Sequence, residues 1–151
     1  MTNFLADYLY YPQALKDRAW PPAGRSVADE FHLLLSEGSL ARVKEIIAAR
    51  PELLAELLPI VANPEASINV RIGASVVFEV HAGSAALRAL VPRLGELSGD
   101  GDARVRADAC HYLGLSGDAR ARDYLALRLG DEDAEVREIA VDSMEALAAA
   151  Q

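Results

Sequence analysis

The stretch Asp102-Ala-Arg-Val-Arg-Ala-Asp-Ala109 returns as Asp133-Ala-Glu-Val-Arg-Glu-Ile-Ala140, 31 residues further along the 151-residue chain. A fainter copy, Ser67-Ile-Asn-Val-Arg-Ile-Gly-Ala74, lies 35 residues upstream of the first. A repeat of this length accommodates a pair of helices, and such pairs stack because each buries its apolar face only against its neighbours. The repeat therefore predicts an α-solenoid.

The clearest repeat runs from Asp102 to Gly130 and has the features of a helical hairpin. Asp102 and Asp133 each precede a helical apolar pattern, where a carboxylate can accept hydrogen bonds from the first backbone N–H groups. Glycines then end the first helix and Asp118 is expected to cap the second. The residues expected to form the buried stripe of the first helix are Val105, Ala109, Tyr112 and Leu113, and the glycines expected to end it are Gly114 and Gly117.

Composition limits the class of protein. Apolar residues make up 52% and charged residues 25% of the chain, as in ordinary globular proteins. The formal net charge of −8 argues against nucleic acid as a partner. The first residues lack the basic and apolar regions of a signal peptide, and no apolar run approaches the ~20 residues that span a bilayer. With one cysteine, Cys110, the chain cannot form an internal disulfide. We therefore expect a single cytoplasmic domain with no membrane contact.

The stretch Val105-Arg-Ala-Asp-Ala-Cys-His-Tyr-Leu-Gly-Leu-Ser-Gly-Asp118 resembles a HEAT repeat, specifically the short bacterial type that is also found in phycobilin lyases. The similarity is strong over residues 102–147 and fair over residues 67–98. It implies an all-α fold, a short right-handed α-solenoid of about four stacked helical hairpins. A repeat of this kind specifies a fold well and a function hardly at all.

The repeats suggest how the chain is divided. We expect an aromatic-rich N-terminal cap, degenerate helical units, two HEAT-like repeats and a C-terminal half-repeat. The corresponding ranges are 1–26 for the cap, 27–66 for the degenerate units, 67–98 and 102–130 for the two repeats, and 133–149 for the half-repeat.

The resemblance also implies a role for the repeated charged residues. In HEAT proteins, an aspartate and an arginine of successive repeats form a stacked polar ladder. The residues at the matching positions here are Asp102 and Asp133 with Arg71, Arg106 and Arg137. Ser67 stands where the first aspartate would be, so we expect a weaker ladder there.

Two groups of residues are candidates for binding a partner. The second helix of each HEAT hairpin lines the concave side, where a basic stripe with one aromatic residue would suit an acidic peptide or a phosphate. The residues of this stripe are Arg88, Arg93, Arg122, Tyr124 and Arg128. These arginines could instead pair with neighbouring carboxylates. The second group lies near the N-terminus, where aromatic residues either cover the end of the solenoid or dock a partner; its members are Tyr8, Tyr11 and Trp20.

The sequence gives no positive sign of catalysis. The three histidines lack metal-ligand spacing, and Asp100-Gly-Asp102 and Asp131-Glu-Asp133 fit helix caps and turns better than cation sites. Cys110 takes a position usually filled by alanine, so we expect it to be buried.

The expected function is a non-catalytic scaffold or adaptor that binds another protein, with no cofactor or metal, as a monomer or weak homodimer. The alternatives are an enzyme or enzyme subunit related to bilin lyases and, less favoured, a nucleic-acid-binding HEAT-like protein.

Overall fold

The computed structural model of the chain describes residues 20–151, and every regular element in that part is helical. The all-α prediction is therefore confirmed for these residues. The α-helices are α1 (Val27–Ser36), α2 (Leu40–Ala49), α3 (Leu58–Val61), α4 (Ile68–Val80), α5 (Ala85–Arg88), α6 (Val91–Leu97), α7 (Ala103–Leu115), α8 (Ala121–Arg128) and α9 (Ala134–Ala149), and a 3₁₀ helix spans Pro51–Leu57.

The helices pack into two compact units. The first contains the described residues up to Ile60 together with Ser67–Val77, and the second contains Val61–Ala66 and Phe78–Gln151. The arrangement as a solenoid, its aromatic cap and the predicted repeat boundaries stay predictions.

The first unit is built around α1, α2 and the 3₁₀ helix. The Ser26 hydroxyl caps α1 by accepting a hydrogen bond from the Asp29 backbone N–H at 3.1 Å. Ser39 stands at the start of α2 as expected, but its side chain makes no capping bond. Pro51 opens the 3₁₀ helix, where its missing N–H costs nothing. The fully buried core of this unit includes Phe31, Val43, Ile46, Ile47, Leu54 and Leu57.

In the second unit, the predicted aspartate caps are confirmed. Asp102 accepts hydrogen bonds from the backbone N–H groups of Arg104 and Val105 at 2.8 and 3.3 Å. Asp133 does the same for Glu135 and Val136 at 2.9 and 3.1 Å. A cap of this kind contributes about 1 kcal/mol to stability.

The core of the second unit forms where α7 packs against its neighbours. The predicted stripe is buried, with Val105, Ala109 and Leu113 almost fully inaccessible. Tyr112 stacks on Phe78 with ring centroids 4.2 Å apart. These apolar contacts fix the orientation of α7 and hence of its charged residues.

The glycine after that stripe does not end the helix. Gly114 lies inside α7, which continues to Leu115, and the chain reverses at Gly117, whose φ is +66°. A Cβ atom on Gly114 would lie 2.7 Å from Cβ of Ser143. Gly114 is therefore needed for the close approach of α7 and α9, and the expectation that it ends the helix was wrong.

Two other local details differ from expectation. The predicted second helix of the 67–98 repeat is split into α5 and α6, because Pro92 lacks an N–H and starts a new helix. Asp118 accepts from the Arg120 backbone N–H at 2.9 Å within a turn, and α8 begins only at Ala121. No helix in residues 20–151 is both long and apolar enough to cross a membrane.

Candidate protein-binding surface

A buried ion pair organises the turn between α8 and α9. Arg106 donates from Nε to Asp131 Oδ2 at 3.0 Å and from Nη2 to Asp131 Oδ1 at 2.9 Å. Their side chains are only 7% and 2% exposed. This bidentate geometry is the strongest that an arginine and a carboxylate can form.

Asp131 has further partners. Arg128 Nη1 donates to Oδ2 at 3.2 Å, and the Asp133 backbone N–H donates to Oδ1 at 3.0 Å. These interactions, led by the hydrogen bonds from Arg106, lower the pKa of Asp131 to about 2. Asp131 therefore stays ionised at neutral pH although it is buried.

Arg106 and Arg137 make the same contact with the turns that precede their own helices, α7 and α9. Arg106 Nη1 donates to the backbone carbonyls of Asp100 and Gly101 at 3.0 and 3.2 Å. Arg137 Nη1 donates to the carbonyls of Asp131 and Glu132 at 2.7 and 3.2 Å. Both Asp-x-Asp segments are therefore turns closed by an arginine.

The charged residues of the expected ladder are arranged differently from the resemblance. Asp102 and Asp133 cap helices, and the carboxylate that binds Arg106 is Asp131 instead. Arg71 lies half-buried in α4. Asp131 was not predicted from the sequence as a partner of Arg106. The sequence does contain a pattern that could have indicated it, since an aspartate stands two positions before each capping aspartate.

The structure divides the predicted residues of α8 between two sides of the helix. Tyr124 packs directly on α6, since a Cβ atom at Gly95 would lie 2.4 Å from its ring. Arg128 turns towards Asp131. Arg122 is exposed, and Leu127 is 69% exposed. Two of the three candidates on α8 thus serve the packing of the second unit.

The arginines of α5 and α6 lie on helices that border α8. Arg120 joins α5 to the turn before α8 by donating from Nη2 to the Arg88 carbonyl at 3.1 Å, while it also pairs with Asp118 at 2.7 Å. The side chains of Arg88 and Arg93 are exposed. We use the name second-helix surface for the exposed set of Arg88, Arg93, Arg122 and Leu127.

The aromatic candidates near the N-terminus are only partly described. Tyr8 and Tyr11 lie outside the described residues. Trp20 is 7% exposed, and its ring lies 5.7 Å from that of Phe31 in α1. Trp20 is therefore a core contact of the first unit.

Cys110 is fully buried in α7. Burial raises the pKa of its thiol to about 11. Because the thiolate is the nucleophilic form, we expect this cysteine to react slowly at neutral pH. Within residues 20–151, no three His, Cys, Asp or Glu side chains are grouped so as to hold a metal ion.

Comparison with known proteins identifies the family. A family model described as HEAT repeats matches residues 54–145, which is more than half of the chain. No curated protein and no solved structure gives a significant match. The matched range includes the two turns closed by Arg106 and Arg137 and the helices that carry the second-helix surface. The chain therefore belongs to the HEAT-repeat family.

Proposed function

We propose that the chain is a non-catalytic scaffold or adaptor that binds another protein through its second-helix surface. HEAT repeats generally mediate protein–protein interactions. In the proposed assembly this surface is the concave face of a short right-handed α-solenoid. The protein acts in the cytoplasm, as a monomer or weak homodimer, without nucleic acid, cofactor or metal.

The observation that carries this proposal is that two exposed arginines of the second-helix surface make no ion pair among the described residues. Within the described part of the chain, the side chains of Arg93 and Arg122 make no ion pair, whereas Arg120 is held by Asp118. Leu127 adds an exposed apolar side chain on the same helix as Arg122. An acidic peptide segment with an apolar side chain complements such a surface.

The thiol of Cys110 supports the non-catalytic part of the proposal. An unreactive thiol counts against an enzyme related to bilin lyases, and burial raises the pKa of the Cys110 thiol to about 11. We therefore rank an enzyme related to bilin lyases below a binding protein.

Affinity capture with matched charge reversals tests the proposal. The test variant is Arg93→Glu/Arg122→Glu, and the control is Lys44→Glu/Arg104→Glu, which makes the same change of charge at exposed positions elsewhere. We expect a partner from the source cells that the wild type and the control retain and the test variant loses. Retention by the test variant, or no specific partner, would contradict the proposal.

A further inference from the structure

The guanidinium groups of Arg106 and Arg137 have the same local anchor. Each uses Nη1 to bind two backbone carbonyls of the turn that precedes its own helix. Arg106 then uses Nε and Nη2 to hold the carboxylate of Asp131. The contacts of Nη1 orient the guanidinium group, and its opposite edge, formed by Nε and Nη2, binds the carboxylate.

In Arg137 that other edge is open. Its Nε and Nη2 have no acceptor among residues 20–151, and the side chain is exposed. Val141 is 45% exposed, whereas Cys110, which occupies the same position in α7, is fully buried. The face that is covered in α7 is thus uncovered in α9.

The chemistry of the open edge selects a carboxylate. Two parallel N–H donors on a planar group match the two oxygens of an aspartate or glutamate. The carboxylate that fills the equivalent edge of Arg106 is accompanied by a second cation, Arg128, three residues before it.

The rest of the α9 face calls for such a second cation. Glu138, Asp142 and Glu145 are exposed on the outward side of α9, next to Arg137 and Val141. A purely acidic segment would be repelled by these carboxylates. A segment that places a basic side chain about one helical turn before its carboxylate satisfies both charges.

We propose that the α9 face, defined by Arg137, Glu138, Val141, Asp142 and Glu145, docks a helix end of another protein that carries an Arg-x-x-Asp type sequence, with its carboxylate on Arg137. This surface is separate from the second-helix surface. A second copy of the chain does not supply the segment, because the aspartate of its own Arg-x-x-Asp sequence, Asp131, is buried against Arg106.

The probe is a synthetic peptide of residues 121–137, capped at both ends, which contains Arg128-Leu-Gly-Asp131. It is titrated into the full ¹⁵N-labelled chain while the arginine Nε–H signals are followed by NMR. We expect a saturable shift of the Arg137 signal and none of the Arg106 signal. A peptide with Asp131→Asn should bind at least tenfold more weakly.

Protein variants complete the test. Arg137→Lys keeps the charge but lacks the planar donor edge, so its affinity for the peptide should fall at least tenfold, while the control Arg104→Lys should bind as the wild type does. The inference is overturned if the wild-type chain gives no shift at millimolar peptide. It is also overturned if the Asp131→Asn peptide binds as tightly as the wild-type peptide. A wild-type dimer in sedimentation that becomes monomeric in Arg137→Lys would overturn it as well. The peptide substitution leaves the protein unchanged, so the test stands even if Arg137→Lys fails to fold.

Discussion

Arg106 in α7 and Asp131 in the turn before α9 form two parallel hydrogen bonds of 2.9 and 3.0 Å, 25 residues apart in the sequence. The pair joins α7 to the turn before α9 through side chains that are almost completely buried. A buried charge that loses its partner is strongly unfavourable, and this makes the pair the most informative place to test the structure.

Replacing Arg106 by leucine should lower the free energy of unfolding by about 3–5 kcal/mol, because the Asp131 carboxylate then keeps only Arg128 as a cationic partner. Urea denaturation of the variant measures this loss. The double variant Arg106→Leu/Asp131→Leu should lose less than the sum of the two single changes, since an apolar pair leaves no buried charge. Simple additivity would mean that the two residues do not interact.

The pH dependence of stability should show the ionisation of Asp131. Its pKa of about 2 in the folded chain lies below the ~3.9 of an unperturbed aspartate. Its ionised form therefore stabilises the fold fully above about pH 5, and this contribution is lost as the pH falls towards the folded pKa. Denaturation of the wild type and of Asp131→Asn should give a constant difference at neutral pH that shrinks in acid. A difference that grows as the pH falls would contradict the assignment.

Gly114→Ala should destabilise the protein by about 1–3 kcal/mol even though alanine favours helix, because the new methyl group overpacks the contact between α7 and α9. The added Cβ would meet Cβ and Cα of Ser143 at 2.7 and 2.9 Å. Gly130→Ala is the matched control, since nothing lies within 4 Å of the added atom there. Thermal melting of both variants measures the effect, and equal melting temperatures would show that the helices are not in contact at Gly114.

The Cys110 thiol should resist a thiol reagent at neutral pH as long as the chain is folded. Its burial and its pKa of about 11 both keep the thiolate rare. Reaction with Ellman's reagent should become fast when urea is added, at the concentration where the circular dichroism changes. Fast stoichiometric labelling of the folded protein would show that the site is open.

Features that depend on a few adjacent residues could be predicted from the sequence. Asp102 and Asp133 cap their helices as expected, because a cap bonds only to the next two or three residues. The buried stripe through Val105 and Leu113 follows from helical periodicity in the same way.

Features that depend on a distant partner could not be predicted. Gly114 has the usual identity of a helix terminator, and only the nearby Ser143 explains why it lies inside α7. Tyr124 and Arg128 share a side of α8 as their spacing predicts, but Gly95 and Asp131 determine that this side faces inwards. The sequence alone therefore could not show that Tyr124 and Arg128, two of the three predicted binding residues on α8, face inwards.

Site-specific photo-crosslinking from position 127 in the source cells tests the proposed protein-binding function most directly. A photoreactive amino acid replaces Leu127 on the second-helix surface, and the same group at Arg104 is the control because that side chain is also exposed on the second unit. We predict one discrete adduct with another protein from position 127 and none from position 104. Irradiation that gives no adduct from position 127, or the same adduct from both positions, would contradict the account.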